Sequence, residues 1–214
     1  MVVKRVKRAE AEIHKHLAEL ADSISNRTIP LLHTFHEDSY FLLVMPVMET
    51  LDSFVRAGSK TSLWQQFLDG VKFMHQNLVA HLDLKPDNLV VGVGDGIRII
   101  DYGSSVKVSG FWDEMVVGPV GTCNWVAPEV GPEKRFNPVA ADLWSAGKIL
   151  SKYSRDSDDR QWMEENSAKL MSHEVATRLS VYARLPGFNK RKASNGAEFT
   201  RKAQILRSPG VCVH

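Results

Sequence analysis

Apolar and polar positions alternate along this chain with two different periods, and the switches between them mark its elements. Residues 1–6, with "VVKRV", open as a short β stretch. Ile13, Leu17, Leu20 and Ile24 then recur at helical offsets, which predicts a helix with those four on its inner face. "TIPLLHTF" and "SYFLLVM" read as two apolar strands parted by the turn-like "HEDS". "METLDSFVRAGS" predicts a short connecting helix stopping near Gly58, and Trp64, Phe67, Leu68, Val71 and Met74 define a longer one. "NLVVGVGDGIRIID" is a hairpin pattern, two β-branched runs joined by a Gly-rich turn. Residues 102–130, rich in Gly and ending near Pro128, predict irregular chain; a helix centred on "AADLWSAGKIL" follows, then a polar, weakly patterned region. The tail from Pro186, with "NKRKASNG", is basic and expected to be disordered. In outline the first quarter mixes strands and helix, and the rest is helical around a hairpin, with no internal repeat.

Composition narrows the class without naming a function. The chain has 214 residues, enough to bury a core as one domain or two small lobes, and its 43% hydrophobic and 24% charged residues are ordinary for a globular protein. A net charge of +2 makes no case for nucleic acid or membrane as a partner. Cys123 and Cys212 are far apart without CxxC spacing, which points away from a disulfide framework or zinc site and towards a reducing compartment. The longest apolar run, "YFLLVMPVM", is too short to span a bilayer and contains Pro46, and no secretory signal opens the chain. The expectation is a soluble intracellular protein, cytoplasmic or, through "KRK" at 190–192, nuclear.

Chemistry gathers in "HLDLKPDNLVV", where Asp83, Lys85, Asp87 and Asn88 stand between apolar runs and Pro86 forbids a helix interior. Asp101 ends the apolar run "IRII", so Asn88 and Asp101 lie at the two ends of one hairpin and close in space. Hard oxygen donors in that arrangement suit Mg²⁺, which takes few protein ligands and leaves room for phosphates. Asp83 would then be free to receive a hydroxyl proton, and Lys85 to balance charge on a moving phosphoryl group. Any one of these acids alone is more simply a hairpin cap. The histidines argue for nothing similar: His14 and His16 are two apart on a helix and face different ways, and His33 and His36 flank a strand end.

On these residues the chain resembles a eukaryotic protein kinase. "HLDLKPDN" is similar to the catalytic loop, "DYG" to the metal-binding D-F-G, "APE" at 127–129 to the A-P-E that closes the activation segment, and "DLWSAG" to the D-x-W-S-x-G of a buried helix. "GT" at 121–122 falls where kinases place a substrate-facing loop, and "LMSHEVATRLS" resembles the segment whose arginine pairs with the A-P-E glutamate. These motifs run in family order from about residue 1 to residue 180. The resemblance implies an α+β, two-lobed kinase-like fold with a truncated, β-rich N-lobe and a mainly helical C-lobe. Its expected limits are residues 1–185, divided into a partial N-lobe at 1–45, a hinge at 46–49 and a C-lobe at 50–185, with the tail at 186–214.

The resemblance also implies roles. Asp83 is the catalytic base and Lys85 its partner, the latter a mark of the Ser/Thr branch. Asn88 and Asp101 are the Mg²⁺ ligands. His81, Thr122 and Asp142 support the catalytic loop, and Arg178 pairs with Glu129. Val44 is the gatekeeper, and the hinge backbone around Met45 and Val47 faces adenine. Lys4 matches the lysine of V-A-I-K, and helical geometry selects Glu10 over Glu12 as its partner, because Glu10 falls on the face of Ile13 and Leu17. ATP and Mg²⁺ are the expected cofactors, and a protein bearing a Ser or Thr hydroxyl the expected partner. Two departures stand out. Leu82 replaces the arginine of H-R-D, as in kinases that do not depend on activation-segment phosphorylation. No glycine precedes Gly58, so no G-x-G-x-x-G loop lies upstream of Lys4, and an N-lobe sheet of about three strands is expected. A truncated Ser/Thr kinase is the first expectation, and a pseudokinase-like binding or scaffold module the alternative.

Overall fold

In the computed structural model, which describes residues 1–20, 24–56, 62–92, 94, 96–110, 114–184 and 204–205, β1 (Val2–Lys7) runs directly into α1 (Arg8–Ala18). Ala11, Ile13, His14 and Leu17 form the buried face of α1. The helix is shorter than its apolar period predicts. It ends at Ala18, where the side-chain amide of Asn26 donates to the Leu17 carbonyl at 2.8 Å, filling one of the acceptors that a helix end leaves open. Leu20 is therefore past the helix, only partly buried against the core, and Ile24 is 90% exposed. The residue that ends the helix comes from a loop beyond it, which periodicity does not register.

β2 (His33–Glu37) and β3 (Tyr40–Met45) complete a three-stranded antiparallel sheet in the order β1-β3-β2. The register sets Val2 opposite Met45, Val3 opposite Val44, Lys4 opposite Leu43 and Val6 opposite Phe41. Directly opposed residues share a face, so Val2, Lys4, Val6, Phe41, Leu43 and Met45 look one way, and Val3, Arg5 and Val44 the other. Val6, Leu43 and Met45 bury against Ala11, Ile29 and Val90 in a small core beneath the sheet.

The remainder is the larger, mainly helical part. β4 (Glu49–Thr50), α2 (Leu51–Arg56), α3 (Ser62–Gln76) and β5 (Val79–Ala80) lead into the stretch 81–88. The hairpin β6 (Leu89–Gly92) and β7 (Gly96–Ile99) forms as its alternation predicts, with Leu89 opposite Ile99. Short strands β8 (Val106–Lys107), β9 (Val116–Val117) and β10 (Arg135–Phe136) punctuate the irregular segment. α4 (Pro138–Tyr153), α5 (Arg160–Leu170) and α6 (Val175–Arg184) follow. The weakly patterned region is thus two helices. Of the tail beyond Pro186, only β11 (Gln204–Ile205) is described, running parallel to β9. The expected disorder there, "KRK" and the helix stop at Gly58 lie outside the described residues.

α4 is the axis of this part. Asn137 caps it by accepting from the Ala140 N–H at 2.8 Å, Pro138 supplies the first turn, and apolar residues line nearly every side. Val139, Leu143, Ala146, Ile149 and Leu150 pack with Trp64, Phe67, Val71 and Met74 of α3, with Ile13 and Leu17 of α1, and with Leu89, Ile97 and Ile99 of the hairpin. Each Val, Leu, Ile, Phe or Met side chain among them, taken out of water completely, stabilises the fold by about 1.5–3 kcal/mol. A backbone clasp joins the small sheet region to this core: Ile99 N–H donates to Arg27 O at 2.7 Å, and Ile29 N–H to Ile99 O at 3.2 Å.

Candidate active site

The catalytic-loop stretch is held from below by one buried carboxylate. Asp142, 1% exposed on α4, accepts from His81 N–H through Oδ2 and from Leu82 N–H through Oδ1, both at 2.7 Å. Those two bonds fix a backbone that Leu82 takes through the left-handed region, at φ 62°. The side chain of Leu82 then drops into an apolar cluster with Val106, Val108, Val116, Val120, Ala127 and Phe136. Where the H-R-D pattern has a charge, this chain packs a hydrocarbon against the segment that follows the hairpin.

Asp83 emerges from that support with both carboxylate oxygens engaged. Thr122 Oγ1 donates to Oδ1 at 2.7 Å, Lys85 Nζ lies 3.0 Å from Oδ2, and Lys85 also donates to Thr122 Oγ1 at 2.6 Å. Asn88 completes the set through Nδ2, bonded to the Asp83 carbonyl at 2.8 Å and to Oδ2 at 3.2 Å. Thr122 can approach this closely because Gly121 precedes it at φ +85°; a Cβ there would sit 2.8 Å from Leu82 O and 2.6 Å from Val126. Asp87 is exposed and holds no part of the site.

A second cluster lies across the hairpin. Ile100 N–H donates to the Asn88 carbonyl at 3.0 Å, and the next residue, Asp101, turns through φ 65° so that its side chain accepts from Gly103 N–H. Lys4 Nζ bridges Asp101 Oδ1 at 2.8 Å and Glu10 Oε1 at 2.6 Å. Glu12 takes no part and pairs with Arg8 along the exposed side of α1 at 3.7 Å. Burial alone would raise both carboxyl groups and lower the lysine. Asp101 is the more exposed acid, and there the Lys4 hydrogen bond and charge, aided by Gly103 N–H, outweigh burial and hold its carboxyl below the usual range. At Glu10, 12% exposed, burial wins and the carboxyl is raised despite Lys4. Burial also opposes the charge on Lys4, but its two acidic partners leave its ammonium more firmly protonated than usual.

Metal fit can be judged from the donors these bonds leave. Asn88 spends only its amide nitrogen, and Asp101 only Oδ1, so each retains a hard oxygen at one end of the same hairpin. No cluster of three or more His, Cys, Asp or Glu occurs among the described residues. One carboxylate and one amide oxygen, with the rest of the sphere left to water and phosphate, is a set that suits Mg²⁺ better than a dedicated protein cage.

Other expected residues fall into place unevenly. Arg178, wholly buried, reaches Glu129 at 2.8 Å as an ion pair outside hydrogen-bond alignment, and donates to Ala140 O at 2.8 Å. His81 is fully buried, with Nε2 on the Ile100 carbonyl at 3.0 Å. Val44, expected as gatekeeper, is on the sheet face away from Lys4; Met45, opposite Val2, is on Lys4's face. Val47 is 67% exposed. One contributor escaped the sequence reading. His75 Nε2 lies 2.9 Å from Asp142 Oδ2 and Nδ1 lies 2.9 Å from the Tyr182 hydroxyl, all three groups being buried. Its signal was a polar residue continuing the Phe67–Val71 stripe on the inner face of α3.

A protein kinase domain model matches residues 1–206, and the chain belongs to that family. It is 35% identical over 158 residues to calcium/calmodulin-dependent protein kinase type 1 of Caenorhabditis briggsae, covering 68% of this chain and 43% of the relative. CBL-interacting serine/threonine-protein kinase 1 of Arabidopsis thaliana is 29% identical over 143 residues, 64% of this chain and 30% of the relative. Serine/threonine-protein kinase hal4 of Schizosaccharomyces pombe is 36% identical over 89 residues, 40% of this chain and 14% of the relative. The chain spans less than half the length of these relatives. The small sheet-bearing part and the mainly helical part are those of a protein kinase domain.

Proposed function

We propose that the chain transfers the γ-phosphoryl group of ATP to a Ser or Thr hydroxyl of a protein. The observation that carries this reading is the joining of two clusters: the Asp83–Lys85–Thr122–Asn88 set and the Lys4–Glu10–Asp101 bridge, linked through Ile100 and the Asn88 carbonyl. Asp83 accepts the proton of the attacking hydroxyl as its oxygen bonds to the γ-phosphorus and the bond to the ADP oxygen breaks. Lys85 offsets negative charge on the phosphoryl group, and Lys4, positioned by Glu10, binds the non-transferred phosphates. Asn88 and Asp101 would hold Mg²⁺, which neutralises phosphate charge. Met45, on Lys4's face of the sheet, replaces Val44 as the side chain at the back of the adenine site.

The decisive measurement is phosphoryl transfer to a degenerate Ser/Thr peptide library with Mg·ATP, comparing the chain with Asp83→Asn. Loss of the base lowers kcat by about 10²–10⁴-fold. Equal rates in the two proteins, or nucleotide binding without transfer in either, would favour the scaffold reading instead.

A further inference from the structure

The strand β9 (Val116–Val117) is paired along both edges, by β10 on one side and by β11 (Gln204–Ile205) on the other. β10 leads directly into α4, so its pairing is local to the core. β11 is different, because the chain leaves the last helix at Arg184 and returns to β9 only at Gln204. The register is parallel, with Gln204 opposite Val116 and Ile205 opposite Val117. A strand of two residues is too short to be stable alone. Tethered to α6, however, it meets β9 at an effective concentration high enough for weak backbone pairing to be populated.

The sequence explains why this segment and this edge meet. Arg201 and Lys202 stand three and two positions before Gln204, and Asp113 and Glu114 stand three and two positions before Val116. In a parallel register, equal offsets from a paired position correspond to each other, so two cations in one segment match two acids in the other. Glu114 has capacity for such a partner. It accepts from the Ser109 N–H at 3.0 Å and from the Ser109 hydroxyl, and both bonds end on Oε2.

The effect of docking follows from what β9 carries. Val116 is wholly buried in the cluster that holds Leu82, Val120 and Phe136, and Leu82 directly precedes Asp83. Residues 118–122 begin where β9 ends. They pass through two left-handed glycines, Gly118 at φ 124° and Gly121 at φ 85°, before Thr122 reaches Asp83 and Lys85. Glycine leaves a backbone many alternative conformations, so the strand ahead of this loop must anchor its near end. Pairing along both edges holds β9 against slipping more firmly than β10 does alone.

We propose that the outer edge of β9 is a docking site for an extended basic strand, filled in cis by β11 and drawn there by Arg201 and Lys202. The docked strand braces residues 118–122, so that Thr122 keeps Asp83 in place. Docking is independent of the reaction, whereas its effect on turnover rests on the kinase reading of the site. Addition of an edge strand is a recurring mode of segment recognition, in which backbone pairing supplies the contact and flanking side chains the selectivity.

Two variants of the whole chain test this. Gln204→Pro with Ile205→Pro removes the backbone donors of β11, and Arg201→Glu with Lys202→Glu reverses the charge ahead of it. In nucleotide-free protein, both variants exchange hydrogen at the Val116–Val117 amides about fivefold faster than the parent. Adding Asp113→Lys and Glu114→Lys to the charge-reversed chain brings exchange back to within about twofold of the parent. The proline variant also lowers kcat by about three- to tenfold. Parent-like exchange in the proline variant overturns the docking, and failure of the charge swap to restore protection overturns the matched register. Protection that fades on dilution of the parent assigns the edge to the tail of a second copy and overturns docking in cis. Faster exchange with an unchanged or higher kcat overturns the brace. Should the parent transfer no phosphoryl group, the kinase reading fails and amide exchange alone decides the docking.

Discussion

The hydroxyl of Thr122 donates to Asp83 and accepts from Lys85, so one oxygen sets the distance between that carboxylate and the ammonium, which the proposed reaction uses as base and cation. Valine has nearly the same shape but leaves both neighbours without that partner. Thr122→Val therefore lowers kcat by about 10–100-fold through misplacement of Asp83, and Thr122→Ser restores most of it. Steady-state kinetics on one peptide checks this; a valine variant as active as the parent would show that Lys85 and Asn88 suffice. At this scale the sequence was most legible where chemistry is local. Asp83, Lys85 and Asn88 sit within six consecutive residues, and their order alone pointed to phosphoryl transfer. Choosing Glu10 over Glu12 needed only helical geometry, and the structure places Glu10 on Lys4. The sheet face that Val44 presents was not legible, because it depends on pairing with Val3 in another strand. His75 was hidden for the same reason, its partners lying on α4 and α6.

α4 and α5 cross closely at Gly147. A Cβ on Gly147 would lie 2.8 Å from Leu170 Cβ, 2.9 Å from Met171 Cγ and 3.2 Å from the Ser167 carbonyl. Those atoms belong to a helix and its exit, so they cannot move aside singly. Gly147→Ala forces the helices apart and costs about 1–3 kcal/mol, despite the better helix propensity of alanine. Thermal unfolding registers this as a midpoint lower by several degrees, and an unchanged or higher midpoint would mean that the crossing is looser than these distances imply. The consequence reaches the site, since α4 also carries Asp142 beneath the catalytic loop. Element boundaries divide the same way between legible and hidden. α3, the hairpin and α4 carry strong periodic signals and form where expected. α1 ends early because Asn26 folds back onto it, α5 carries too diluted an apolar stripe to be read, and α6 is amphipathic over only 10 residues.

The whole molecule carries its two most deeply buried shifted imidazoles on either side of Tyr102, and this sets how it responds to acid. His14 and His81 are 2% and 0% exposed, and burial is the leading cause that lowers both pKa values. Both groups are neutral when folded and gain protons more readily when unfolded. The unfolded chain thus binds more protons below the ordinary histidine value near 6.5, and stability falls as pH drops through that value. Glu10 acts in the opposite sense. Its raised carboxyl retains a proton in the folded state just above the usual glutamate range, so it recovers some stability there on acidification. Below about pH 6.5 the two histidines therefore set the sign and stability falls on acidification, with Glu10 offsetting part of the loss only as the glutamate range is approached. Asp101, held below its usual range, adds a further loss only at still lower pH. Urea denaturation at several pH values across this window measures the slope directly. His14→Gln removes one of the two histidine contributions and makes the dependence shallower, whereas a parent protein equally stable at pH 5 and pH 7 would mean that the imidazoles reach solvent or are already charged in the fold.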